Sequence, residues 1–584
     1  MHGIAPGDLA PPAAQPVGAR AETAGPPAVA ARPGSAALGR AMALAAIFGG
    51  ALAAIATLGP RILDIHDLGW LLHGTLGPDP VAYLSAWMYF APSPWSWPPG
   101  LNPDYGLELS SAIFYVDAVP LMAFLAKALR PLLEIPQYWG PWMVLSAGLQ
   151  AFFAWRLLGL AVPDPVARAL GALIFAWQPL LLNRMGGHFA LCSQWALLWA
   201  LWLCLRPDPG LHLGRQARHW AGCLGLVAML NPYVMAMCGG LWVADLLGRA
   251  LRGAAPRPRL SPLVLQPALV LPAMAGALWL AGYFTLAGDV LPMGVHYGAS
   301  QFDLTAPFDA VEWGRLLPAL PGLRHWEAGG SYLGAGAILL LALALALAPR
   351  GTLRPALRRH AVLVLALAGM LAFAMSNHVA IGGHIVLVYD LPAPLLRLAD
   401  MLRASERFFW PLAYASLFAA IAGLALRLAV VPLRWVLAGL LLIQVVDIQA
   451  GMGRFRALVA AAPPVAAERL ADPFWAEAGR RYHRIRAVPA ENFGAHWEPV
   501  ARFAAPRGLP TDAAYHSRVD PEAVAALRAR TRRDLARGWW EGGTLYVLRD
   551  APTQALVAAR IDPTRDLLEQ HDGLWVFAPN WYAR

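Results

Sequence analysis

Arginine in this chain follows a spacing that only a membrane imposes. Apolar stretches of spanning length alternate with short Arg-bearing connectors at 156–168, 206–218, 249–259, 350–359 and 427–434. The intervening connectors are poor in Arg and rich in Asp, Trp, Pro and Gly. Cytoplasmic loops carry the Lys/Arg excess, so this asymmetry fixes the direction of each helix and leaves every long loop outside. The chemistry is therefore expected on the face away from the cytoplasm, with a bacterial cytoplasmic (inner) membrane as the host.

A spanning helix needs about 20 mostly apolar residues. Spans are expected near 41–59, 138–157, 168–184, 188–205, 262–284, 331–348, 360–376, 408–426 and 433–449. The stretch 219–248 is too long for one span and carries Asn231-Pro232 at its middle, so it reads as two helices turning at the outer face. The expected fold is an α-helical polytopic membrane protein of about eleven spans, with its N-terminus cytoplasmic. Segment 111–130 is apolar enough to cross, yet counting it would invert every later Arg-rich loop. Its Asp117, Lys127 and Arg130 suit a helix lying in the outer interface. Three outside loops are then long, at 60–137, 285–330 and 377–407, and loops of that size usually carry function.

Composition agrees with this reading. The chain is 58% hydrophobic and 14% charged, where soluble domains carry about a quarter charged residues. The net charge of +10 sits in short loops at helix ends, where topology and anionic headgroups account for it, so the expected partner is the lipid bilayer and not nucleic acid. Cys192, Cys204, Cys223 and Cys238 all lie in apolar segments without Cys-x-x-Cys spacing, which encodes neither a disulfide framework nor a zinc site. His378 and His384 flank Gly382-Gly383 without a third spaced ligand, so no metal or other cofactor is assigned. Residues 1–40, rich in Pro, Ala and Gly, read as a disordered cytoplasmic tail.

Residues 41–450 form the expected transmembrane domain. After 450 the composition becomes that of a soluble domain, with strand-like runs at 482–488, 544–548 and 574–577 and a helical stretch at 521–537. Residues 451–584 are expected to form a small α/β domain outside the membrane. Its Trp539-Trp540, Tyr515-His516 and Asn580-Trp581-Tyr582 suit either acceptor contact or packing.

The first outside loop holds the densest set of candidates. Asp79-Pro80-Val81-Ala82-Tyr83 opens an amphipathic run, and Asp before Pro is a strong helix start, with Asp as N-cap and Pro at the first helical position. A stiff aromatic bend follows at 93–100, and Asn102, Asp104 and Glu108 precede the segment bearing Asp117. Asp64 and Asp67 follow the first span closely and are either rival acids or interfacial polar groups. Asp117 lies on an apolar face and needs a partner or a function. The arginine rule breaks at Arg397, Arg403 and Arg407, which lie in or beside the third outside loop. Outer-face arginines next to a span call for a ligand or for an acid such as Glu406. Arg184 and His188 sit in a sharp outside turn at 183–188. Trp87, Trp95 and Trp97 suit an interfacial aromatic belt or a sugar-stacking surface.

An acid at the head of a short helix after the first span, followed by Tyr, a Pro-rich bend and an interfacial helix, resembles the GT-C superfamily of polytopic glycosyltransferases. Residues 93–100, 102–106, 117–120 and 403–411 are similar to a bacterial GT-C-like branch without an assigned substrate. The resemblance implies transfer of a sugar from a polyprenyl-phosphate donor to an extracytoplasmic glycan or protein acceptor, with inversion at the anomeric carbon. It carries over Asp79 as the general base; Asp64, Asp67, Asp104, Glu108 and Asp117, read from their own positions, are the supporting acid candidates. A lipid-phosphate leaving group requires fixed positive charge, for which Arg407, Arg403, Arg397, Arg184 and His188 are the candidates. Asp79 is followed by Pro where many members have a second acid, which argues against paired-acid or metal-assisted versions of the mechanism. Two other readings remain. One is a transporter or flippase of lipid-linked glycan, which would call for an internal repeat and mid-membrane charges. The other is a non-catalytic subunit of a cell-envelope glycan assembly.

Overall fold

The computed structural model describes residues 33–109, 112–207, 213–251, 262–286, 296–322, 330–348, 353–464 and 469–583. Residues 1–32 of the expected tail lie outside the described residues, as do parts of the connectors at 206–218, 249–259 and 350–359 and of the loop at 285–330. The protein is mostly helical, with a small sheet near its C-terminus.

Five helices are long and apolar enough to cross a membrane: Ala36–Leu58, Pro232–Leu251, Leu263–Leu280, Ser405–Ala425 and Val430–Asp447. A bent pair, Pro165–Ala176 and Pro179–Gly186, makes a sixth if it counts as one span. This is fewer than the eleven full-length spans expected. The reason is that several apolar runs are cut short: Phe189–Leu205 begins as a 3-10 segment, Ala335–Ala346 is 12 residues long and Ala361–Met375 is 15. Hydropathy counts apolar residues and cannot see where the backbone bends.

Small residues let these helices approach closely, as packing within a bilayer favours. A Cβ on Gly50 of the first helix would lie 2.5 Å from the Ala147 carbonyl oxygen of Trp139–Leu158. The expected break at Asn231-Pro232 is present, between Leu213–Ala228 and Pro232–Leu251. Segment 111–130, described from 112 onward, holds no helix of spanning length: it contains a 3-10 turn, Ile113–Val116, and a ten-residue helix, Pro120–Leu129, about 15 Å long at the usual helical rise.

Helix Gln449–Ala461, placed at the start of the soluble domain by composition, packs instead with the apolar helical bundle. Met452, Phe455, Val459 and Ala462 are buried in the main apolar core, and the Arg61 guanidinium holds the Val459 and Ala462 carbonyls. Its polar face supplied the charged composition, while its apolar face sets the packing. The following domain has a four-stranded sheet in the order 484–488, 544–548, 574–578, 567–571. The first pair is parallel and the other two pairs are antiparallel.

This domain is laid against the first loop by backbone hydrogen bonds: Gly106 N to Thr511 O (2.8 Å), Thr511 N to Asp104 O (3.0 Å) and Ser517 N to Tyr115 O (2.7 Å). Glu108 adds ion pairs to Arg486 (2.8 Å) and Arg530 (2.7 Å). The result brings residues 515–518 to the same place as the head of helix Asp79–Phe90.

Candidate functional site

A cavity of about 1360 Å³ lies where the first loop, the bundle and the C-terminal domain meet. Asp79, Asp117, His188, Asn231, Arg403, Arg407, Tyr515 and Arg518 line its polar part. Met235, Gly240, Val243, Gly369, Met370 and Phe373 continue it as an apolar furrow between helices Pro232–Leu251 and Ala361–Met375.

Asp79 is not the N-cap that its sequence suggested. The cap is Pro78, already in the helical region, and Ala82 N donates to its carbonyl at 3.2 Å. The helix therefore begins one residue early, Asp79 is its first residue, and the carboxylate makes no capping hydrogen bond. It faces His188, whose Nε2 lies 3.6 Å from Asp79 Oδ2. Gly187, at φ +147 with a Cβ position 2.9 Å from Leu76 O, makes the turn that brings His188 there. Burial, the Asp79 charge and a hydrogen bond to its carboxylate push the Tyr515 hydroxyl well above its ordinary value, so Tyr515 is a neutral donor to Asp79.

Asp117 sits in the left-handed region (φ 53) between the 3-10 turn and helix Pro120–Leu129. Asn231 holds it. The Asn231 Oδ1 accepts from Tyr233 N (2.9 Å) at the start of helix Pro232–Leu251, which leaves Nδ2 to donate to Asp117 Oδ1 at 3.1 Å. Burial pushes the Asp117 carboxyl up to about 6; the Arg407 charge and the Asn231 hydrogen bond oppose this shift, and the Asp79 charge adds to it. Arg407 is buried in the 3-10 turn Ser405–Phe409, its guanidinium 4.7 Å from the centre of the Tyr233 ring.

The remaining candidates lie elsewhere. Asp64 accepts from His66 N (2.9 Å), and Asp67 pairs with Arg61 and accepts from Gly69 N (3.0 Å); both stiffen the turn after the first helix. The Asp104 side chain is exposed, and Glu108 is committed to Arg486 and Arg530. Arg184 is 1% exposed, with its guanidinium 5.6 Å from the Trp410 ring centre and away from the cavity lining. Arg397 is exposed on helix Ala393–Asp400, also outside the lining. Trp87 is buried and donates to Ile135 O (3.1 Å). Trp95 is exposed and stacks near Lys127, and Trp97 is exposed against Trp279. No tryptophan among the three lines the cavity, so sugar stacking there has no support.

His378 and His384 belong to a two-stranded hairpin, His378–Ile381 and His384–Val388. Its Gly382 and Gly383 N–H groups donate to the Asp303 carboxylate at 3.0 and 2.8 Å. Among the described residues no group of three His, Cys, Asp or Glu side chains is placed to hold a metal.

Sequence reasoning missed Asn231, Tyr233 and Arg518 as site residues and weighed Tyr515 only as a general contact. Only the Asn-Pro pair, read as a turn, carried a usable local signal.

No curated protein matches the chain. Residues 474–579 match the DUF6311 C-terminal domain, and residues 46–449 match DUF6311, a domain of unknown function. The two matches take in both walls of the cavity and most of the sequence, and the chain belongs to the DUF6311 family.

Proposed function

We propose that the protein is an integral-membrane glycosyltransferase of the GT-C type that moves a sugar from a polyprenyl-phosphate donor to an acceptor outside the cytoplasm. The observation that carries this reading is one cavity joining a carboxylate, Asp79, to the guanidinium groups of Arg403 and Arg407 and running on into an apolar furrow between two helices. An amphipathic ligand with an anionic head and a hydrocarbon tail matches that division. A soluble sugar nucleotide would leave the furrow empty.

In the proposed step Asp79 takes the proton from an acceptor hydroxyl as its oxygen bonds to the anomeric carbon. The bond from that carbon to the lipid-phosphate oxygen breaks, and the phosphate leaves with the electron pair. Arg407 and Arg403 meet the growing negative charge with forked, fixed donors. Tyr515 and His188 hold the Asp79 carboxylate in place. Asp117 keeps Arg407 aimed through their mutual charge. Inversion follows from the GT-C resemblance.

The test is a deletion strain analysed for envelope glycans and polyprenyl-linked sugars. The reading requires loss of one glycan modification with build-up of its lipid-linked donor, reversed by the parent gene and not by an Asp79→Asn variant. Full rescue by Asp79→Asn would end the enzyme reading. Build-up confined to the inner leaflet would point to a transporter.

A further inference from the structure

The C-terminal domain contributes a cation to the cavity that the membrane portion does not supply. Arg518 lines the cavity with Arg403 and Arg407, whereas the lining carboxylates are Asp79 and Asp117. The position of Arg518 is built by two contacts between the domains. Ser517 N donates to Tyr115 O at 2.7 Å, and Arg518 Nη2 donates to Met401 O at 3.2 Å, two residues before Arg403. The Arg403 Nη1 is buried and, among the described residues, has no hydrogen-bond partner.

Burial, and next the positive charge of Arg518, hold the Arg403 guanidinium below its ordinary value. Two guanidiniums brought together from separate domains repel one another, and an unpaired cation in a partly dry site is costly. Arg407 has the Asp117 charge beside it, whereas the leading charged neighbour of Arg403 is another guanidinium, that of Arg518. Such a pair is relieved by an anion that accepts from both, and the forked geometry of guanidinium suits phosphate oxygens best.

We propose that Arg518 and Arg403 bind one phosphate group between them, so that the C-terminal domain forms part of the donor site and is not confined to positioning the acceptor. This rests on the lipid-phosphate reading above. It goes beyond it by assigning a ligand to a domain that the membrane spans do not contain, and it couples donor binding to domain docking. A phosphate that bridges the pair holds the domain down over Asp79, and Tyr515, three residues before Arg518, is held in place with it.

The experiment measures binding of farnesyl phosphate, farnesol and inorganic phosphate to the purified full chain in detergent, for the parent, Arg518→Gln, Arg403→Gln, the double variant and Arg518→Lys. Farnesyl phosphate is expected to bind the parent more tightly than farnesol. Each Gln variant should weaken it at least about tenfold while farnesol affinity stays level. The double variant should lose less than the product of the two single effects, because both residues hold one group. Arg518→Lys should recover part of the loss.

Farnesyl phosphate bound equally by parent and Arg518→Gln would overturn the proposal, as would an equal loss for farnesol, which marks a misplaced domain. Inorganic phosphate binding as tightly as farnesyl phosphate, with the same sensitivity to Arg518→Gln, would uphold the phosphate pair and overturn the lipid donor. If the parent binds none of the three, both readings fall.

Discussion

His188 Nε2 stands 3.6 Å from Asp79 Oδ2, across a cavity wall that also carries Arg407. The two residues are brought together from parts of the chain more than a hundred residues apart. Asp79 heads a helix whose cap is Pro78, and His188 is aimed by the turn at Gly187.

Because Asp79 makes no cap hydrogen bond, replacing it by Asn should leave stability nearly intact. The expected cost is below about 1 kcal/mol, from the weakened interaction with the helix N-terminus. Transfer activity should fall at least about a hundredfold. A melting experiment beside an activity assay separates the two. A large drop in melting temperature would mean that the residue is structural.

Arg407 lies over the Tyr233 ring at 4.7 Å, where a planar guanidinium can stack as well as bring its charge. Arg407→Lys keeps the charge and loses the stacking and the forked donors. Donor turnover is expected to fall about tenfold or more, with little change in melting. Turnover equal to the parent's would remove Arg407 from the leaving-group site.

Burial lifts the Asp117 carboxyl from an ordinary 3.8 to about 6. The folded protein therefore holds this proton more tightly than the unfolded chain does, and between those two values the native state binds more protons. Its contribution to stability is full at low pH, declines as pH rises through that window and levels off above about 6. Melting temperatures measured across the window should show a flatter slope for Asp117→Asn than for the parent. Identical slopes would show that Asp117 does not titrate there.

Although burial works against it, pairing with Arg486 and Arg530 holds Glu108 down to about 2. Its contribution is present above the ordinary 4.5 and is lost as pH falls towards about 2. Glu108→Gln should loosen the C-terminal domain by about 1 kcal/mol, a modest figure because the carboxylate is partly open to water. Faster proteolytic release of that domain would report it. Unchanged release would leave docking to the backbone hydrogen bonds at Gly106, Thr511 and Ser517.

A Cβ at Gly140 would lie 1.8 Å from the Ile62 carbonyl oxygen, at the start of helix Trp139–Leu158. Both sides of that contact are backbone, so nothing flexible can yield. Gly140→Ala should cost roughly 1–3 kcal/mol, seen as poor yield or a lowered melting temperature. Parent-like stability would show that the helix can shift.

Much of the architecture was legible in the residues. Apolar runs located the helices, Asn231-Pro232 marked a real break, and the short strands at 484–488, 544–548 and 574–578 appear where alternating residues suggested. The strand at 567–571 escaped notice because Leu567-Leu568-Glu569-Gln570-His571 sits at the sheet edge, where most of its side chains are partly or fully exposed. The capping role assigned to Asp79 failed because Asp-Pro marks a helix start without fixing which residue begins the turn.

Hydropathy and charge by themselves determined that the chain is helical, built on membrane-type apolar helices, and followed by a smaller domain of different composition. They also marked Asp117, Arg403 and Arg407 as charged residues out of place for their surroundings, while Asp79 entered as a helix start made a base by the GT-C resemblance and His188 as a turn residue suited to a phosphate pocket. Tertiary structure alone decided that these five line one cavity, that Arg184, Arg397, Asp64 and Glu108 do not, and that Tyr515 and Arg518 join them from the far end of the chain. The physical reason is that burial and periodicity are local properties of a segment, whereas a site is made by contacts between distant segments. Those contacts depend on where turns such as Gly187 and Asn231 aim their neighbours and on backbone hydrogen bonds such as Thr511 to Asp104, which carry no side-chain signature.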